Sequence, residues 1–90
     1  MTAQSAAERL ADTLHAAAER GETWPCRDES AWTSEDPDER AEAARRCTGC
    51  SVSSLCRAAA LEDPPTWGIW FGVDFGDREQ RRAALRAGAA

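Results

Sequence analysis

Cys47-Thr48-Gly49-Cys50-Ser51-Val52-Ser53-Ser54-Leu55-Cys56 holds three of the four cysteines of the chain, and Cys26 stands alone with twenty residues between it and Cys47. A Cys-x-x-Cys turn sets two sulfurs on one side of a tight loop, within reach of one metal centre. Cys56 follows about a turn and a half into the next predicted helix, so its sulfur points back at that loop. Cys26 comes in from a separate loop and closes the fourth side. Four thiolates with none left over suit a cubane iron–sulfur cluster or a tetrahedral zinc ion. One pair flanked by two single cysteines differs from zinc ribbons, which carry two paired knuckles. Two disulfides would need an oxidising compartment.

The composition around this stretch explains why the fold needs such a centre. Of 90 residues, 19 are Ala, and Leu, Ile, Val and Phe together number only ten, while 30% of the chain is charged. That balance lies close to the disordered class. It excludes a multi-domain layout and a large enzyme with a deep substrate pocket. All eleven basic residues are Arg, and the net charge is -5, which argues against nucleic-acid or membrane binding by bulk field. There is no apolar run long enough to span a bilayer. The N-terminus lacks a basic region followed by an apolar one, so the expected compartment is the reducing cytosol, where grouped cysteines bind metals or do redox chemistry.

Four short helices are predicted. Residues 3–20 form an Ala-rich helix with a thin apolar stripe of Ala7, Leu10, Leu14, Ala17 and Ala18, closed by Gly21. Such a helix must dock on something to persist. Residues 22–35 read as loop. A second helix starts after Asp36, with Pro37 at its first position and Glu39 in capping-box register, and runs to about Arg46. A third spans Val52 to Leu61, with Ser51 as cap, and Asp63-Pro64-Pro65 stops it. The stretch Thr66-Trp67-Gly68-Ile69-Trp70-Phe71-Gly72-Val73 reads as a turn or short hairpin. A fourth helix covers Asp77 to Ala87, with Asp77 as cap, Gln80 three residues on and Gly88 past its end. His15 lies in the first helix, far from the cysteines, and reads as exposed. The acidic run from Asp28 to Glu42 reads as a solvated face.

Taken together, Cys26 with Asp28 and Trp32, the Cys47–Cys56 stretch, and Gly68-Ile69-Trp70-Phe71-Gly72 resemble the WhiB-like proteins of actinobacteria and their phages. The resemblance covers about residues 24–86. It implies an all-α fold: one domain over 1–90, a small bundle of about four short helices wrapped around a cysteine-ligated cluster. Its parts are an N-terminal helix (1–21), a cluster-binding region (24–56), a Trp-rich turn between the third and fourth helices (66–76) and a C-terminal helix (77–87). It implies an oxygen- and nitric-oxide-sensitive 4Fe-4S cluster on Cys26, Cys47, Cys50 and Cys56, in a transcription regulator that binds region 4 of the principal sigma factor. The carried-over contact residues are Gly68, Ile69, Trp70, Gly72 and Trp32.

The aromatic density of the same stretch adds Trp67 and Phe71 to that surface, with Trp70 as the first anchor. Trp24, Trp32, Leu55 and part of Trp67–Phe75 are the expected dry surround of the cluster. Three departures from the family stand out. Phe71 takes the place of a second Gly, Ser51 the place of a Pro, and the basic C-terminal tail is nearly absent. DNA contact is therefore expected only weakly or within the polymerase holoenzyme, through Arg78, Arg81, Arg82 and Arg86. The expected state is a monomer in a one-to-one complex with its partner, without membrane attachment and without enzymatic activity. The rival readings are a disulfide reductase using Cys47 and Cys50, which lacks the strand–helix alternation of thioredoxin-like folds, and a module held by one zinc ion.

Overall fold

Ser5 begins the first helix, because its side chain accepts from the Glu8 N–H while Glu8 reaches back to the Ser5 N–H. The structure, a computed structural model, describes residues 3–89. Helix α1 runs Ala6–Glu19. Gly21, at φ +77, closes it: the Glu22 N–H returns to the Ala17 carbonyl and the Gly21 N–H to that of Ala18. A short 3-10 turn, Ser30–Thr33, interrupts the stretch expected to be loop throughout. Helix α2 is Pro37–Arg46 and helix α3 is Ser53–Glu62. Strands β1 (Ile69–Trp70) and β2 (Val73–Asp74) pair antiparallel, Ile69 with Asp74 and Trp70 with Val73. Helix α4 is Arg78–Ala89.

The architecture is mostly helical, with four helices and a two-stranded hairpin, so an all-α description is incomplete. The Trp-rich turn is that hairpin. Its tip, Phe71 and Gly72, takes φ +43 and +83, the two left-handed residues in a row that a two-residue connection requires. Several caps also differ from expectation. Asp36 accepts from the Asp38 N–H rather than forming a box with Glu39. Val52, not Ser51, occupies the N-cap of α3, with no side-chain cap. Asp77 does cap α4, but Gln80 turns away and accepts from the Asp74 N–H at 3.0 Å. Gly88 lies inside α4 rather than past its end, and a Cβ there would stand 2.7 Å from Leu61 of α3, which leaves no room for one.

Helix α1 docks on α3, but Ala7 of the expected stripe is exposed and Ala6 is buried in its place. Alanines let the two helices approach closely: Ala6 and Ala17 are buried on one side, Ala59 and Ala60 on the other. The Ala6 N–H donates to both Glu62 carboxylate oxygens at 3.1 Å, placing an anion at the positive end of α1. Around α2 a second core gathers Trp32, Ala43 and Ile69, with Ala31, Ala44 and Cys47 against it. The hairpin and the 3-10 turn pack on α2, and α4 packs on β2.

Candidate metal centre

Arg40, Ala43, Ala44 and Cys47 recur at helical spacing on one face of α2 and its C-cap. That face carries the site. Cys47 caps α2, the Cys50 N–H returns to the Cys47 carbonyl at 3.1 Å, and the Ser53 N–H to that of Cys50 at 3.2 Å. These turns feed directly into α3, whose second turn carries Cys56. Cys26 belongs to a separate exposed turn, in which the Arg27 N–H bonds the Trp24 carbonyl.

All four cysteines line one cavity of about 330 Å³. The cavity is also lined by Trp24 and Pro25, by Leu10 and Leu14 of α1, and by Gly68, Ile69, Trp70 and Phe71 of the hairpin region. Leu55, expected in this surround, does not line it, whereas Leu10 and Leu14 were legible only as a stripe in need of a partner. All four thiols are free. Burial pushes the Cys56 thiol up to about 11; the Phe71 backbone N–H pulls the other way, and Cys26, Cys47 and Cys50 add to the rise. The Cys26 thiol also rises, first through burial of the sulfur that faces the cavity, then through Cys47 and Cys50. Burial of the Cys26 and Cys56 sulfurs thus disfavours their thiolate forms unless positive charge stands beside them.

Among the described residues, no group of three or more His, Cys, Asp or Glu side chains is placed to hold a single metal ion. A tetrahedral ion would draw all its sulfurs to about 2.3 Å from one point. A cluster carries its thiolates on the outer corners of a larger body. Four thiol donors lining one apolar cavity fit a metal cluster. His15 pairs with Glu19 at 3.0 Å on the exposed side of α1, away from the cavity.

The aromatic residues divide. Trp32 is 5% exposed and donates its indole N–H to Cys47 Sγ at 3.4 Å, so it presents no surface of its own. Trp70 and Phe71 are half-buried against the cavity, and Phe71 meets Phe75 edge-on with centroids 5.9 Å apart. Ile69 and Gly68 are buried, and Gly72 is half-buried. Trp67 is 44% exposed, the free aromatic surface of this region.

A buried ion pair, Arg40 with Asp74 at 3.0 Å, ties α2 to β2, and its existence did not show in the sequence. The Arg40 side chain also donates to the Ser34 carbonyl at 2.8 Å and lies 4.5 Å from the centre of the Trp67 ring. Trp67 in turn donates to the Thr33 carbonyl at 3.0 Å. The helical spacing of Arg40 with Ala43 and Cys47 is the signal that would have placed it inward.

On α4, Arg78, Arg81, Arg82 and Arg86 border a shallow depression with Leu85. Arg81 is half-buried and donates to the Pro65 carbonyl at 3.0 Å, which leaves Arg78, Arg82 and Arg86 as the exposed cations of that face. Among the described residues, no helix is long and apolar enough to cross a membrane.

A family model described as transcription factor WhiB matches residues 14–85. The chain is 38% identical over 50 residues to transcriptional regulator WhiB7 of Mycolicibacterium smegmatis, a match that covers 53% of this chain and 48% of that protein. The chain thus spans about half the length of the curated relative it matches. No solved structure matches it.

Proposed function

The chain belongs to the WhiB family of transcription factors, and from that premise we propose a redox- and nitric-oxide-responsive regulator in the cytoplasm that holds a 4Fe-4S cluster on Cys26, Cys47, Cys50 and Cys56 and contacts region 4 of the principal sigma factor. The observation that carries this reading is the apolar cavity that all four thiols line. When bound, such a cluster supplies a centre that oxygen or nitric oxide alters in charge or destroys. The protein's own part is to hold and shelter it. Cys47, Cys50 and Cys56 come from one continuous run, Cys26 from another, and the group between them joins α1, α2, α3 and the hairpin. With so few large apolar side chains, that cross-link contributes folding free energy that the core does not supply.

The partner surface is the outer side of the hairpin region, with Trp67 as its exposed aromatic anchor and Trp70, Phe71, Gly68, Ile69 and Gly72 shaping it from beneath. Trp32 serves this surface indirectly, by supporting the hairpin from the core. Because Trp70 and Phe71 also wall the cavity, cluster and partner share the same short hairpin. A chemical change on one side is thereby felt on the other. The exposed Arg78, Arg82 and Arg86 supply at most weak phosphate contacts within the polymerase holoenzyme. The role is regulatory and not enzymatic, exerted by a monomer in a one-to-one complex.

The test is anaerobic purification with co-expressed sigma region 4. The expected result is a brown complex with about four irons and four sulfides per chain, eluting with the sigma fragment. A colourless chain carrying one zinc ion would overturn the cofactor assignment, and a loaded chain that elutes alone would overturn the partner.

A further inference from the structure

We propose that Trp32 is a positioning residue for the cysteine site: its indole N–H holds the Cys47 sulfur and stabilises negative charge on it, so that this one bond sets how readily a cluster at that corner is reduced and how slowly it is released. The inference rests on the cluster reading given above, and it assigns to Trp32 a role distinct from a partner contact.

The geometry is specific. A buried indole N–H needs an acceptor. Trp32 is 5% exposed, and the acceptor of its N–H is Cys47 Sγ at 3.4 Å. Among the described residues, no buried side-chain nitrogen or oxygen lacks a partner, so this bond completes the local polar accounting. The ring is fixed by its neighbours. Ala43 and Ile69 pack against it within the core, and the Arg46 guanidinium lies 4.9 Å from its centre, held in turn by Glu29 at 3.5 Å. A cation over the ring draws electron density from it and makes the N–H a better donor.

A thiol is a weak acceptor, and a thiolate a strong one. The bond therefore gains strength as negative charge accumulates on the sulfur. One-electron reduction of a bound cluster adds such charge, shared with its thiolates. A donor aimed at one of them favours the reduced form, and hydrogen bonds to cluster sulfurs are a recognised control of potential. The same bond resists departure of Cys47. Cys26 differs in being exposed on a separate turn. Loss of the bound group is therefore expected to begin at Cys26 while Trp32 retains Cys47.

The experiment uses the full chain, loaded anaerobically, without sigma factor. Position 32 is replaced by 3-benzothienylalanine, which keeps the two-ring shape and exchanges N–H for sulfur, and separately by Trp32→Phe. Two quantities are read: the one-electron midpoint potential at an electrode and the rate of iron loss to a chelator. Removing a bond to a charged acceptor predicts a roughly three- to tenfold fall in the reduced-to-oxidised ratio at fixed potential, the upper end corresponding to about 59 mV, with iron loss faster by a comparable factor. Helical circular dichroism of the benzothienyl chain stays native. A loaded benzothienyl chain with wild-type potential and wild-type iron loss overturns this inference alone. A wild-type chain that takes up no iron overturns the cluster reading and this inference with it.

Discussion

Two regions hold the cysteines in different ways. Cys47, Cys50 and Cys56 lie on a run that begins at a capped helix and ends in another, braced by the Arg40–Asp74 pair, the Trp32 indole and the hairpin tip. Gly72 of that tip stands against the Ala44 carbonyl and Cys47 Cβ. Cys26 hangs on an exposed turn fastened by a few backbone bonds, with Arg27 stacked on Trp24 and donating to the Glu22 carbonyl. Three sulfurs are thus held by packed elements, and the fourth reaches the same cavity from an exposed turn. Small domains with poor cores are expected to divide this way, because ordering a loop costs entropy that only a bound group returns.

The sharpest way to break this contrast is to remove the metal. Stripping the loaded chain with a chelator under anaerobic conditions is expected to abolish its cooperative thermal melt. Limited proteolysis should then cut first within residues 22–35, the segment that carries Cys26. A metal-free chain that still melts in one sharp transition, with that segment protected, would show that the apolar contacts suffice alone. Cys26→Ser and Cys47→Ser extend the test: both should lose stable loading, read as iron and sulfide content after anaerobic purification.

Next in size comes Arg40→Ala on the braced side. It leaves the Asp74 carboxylate, 8% exposed, without its cation. Breaking one partner of a buried pair costs about 3–5 kcal/mol. Denaturant melts of the loaded chain should register that loss, and the combined change Arg40→Met with Asp74→Leu should recover most of it. Recovery would show that the pair fixes the register of α2 and β2 more than it stabilises them. The pair also shapes the proposed partner surface, since Arg40 supports the underside of Trp67.

Gly76→Ala probes that surface directly. A Cβ at Gly76 would stand 2.9 Å from Trp67 Cε3, so the ring must move. Overpacking of this kind costs about 1–3 kcal/mol. The cysteines lie elsewhere, so iron and sulfide content should stay at the wild-type level while affinity for sigma region 4 falls. Unchanged affinity after a demonstrated shift of Trp67 would remove that ring from the interface.

Much of this was legible in the residues, and the gaps have physical causes. Helix ends marked by Pro37, Asp77 and Gly21 were readable because each acts through its own backbone geometry. The hairpin was readable from its glycines, and the shared cavity from cysteine spacing. What escaped notice depends on partners distant in the chain. Arg40 is an ordinary helix residue until Asp74 arrives 34 positions later. Gly88 looks like a terminator until Leu61 fills the space where its side chain would be. Trp32 reads both as dry surround and as partner contact until Cys47 is seen to accept its hydrogen bond. Ser51 failed as a cap because Val52 takes that position and turns its side chain toward the cavity.

The smallest expected effect on stability belongs to Phe71, and it separates fold from shelter most cleanly. At φ +43 a Phe carries left-handed strain of roughly 1–2 kcal/mol. Phe71→Gly relieves that strain. It also forfeits the edge-on contact with Phe75, about 0.5–1.5 kcal/mol, and adds about 0.5–1 kcal/mol of backbone freedom to the unfolded chain. With the burial of the half-exposed ring also lost, the relief of strain offsets only part of the cost, and the melting temperature of the loaded chain should fall slightly. The cavity, however, loses a phenyl ring from its lining. Iron loss to a chelator and decay of the visible absorbance in air should both accelerate, with only that slight change in stability. If the two rates stay at wild-type values, the hairpin wall is not the path by which solvent reaches the cavity. The exposed Cys26 turn, the loosely held side of the molecule, then remains as the route of entry.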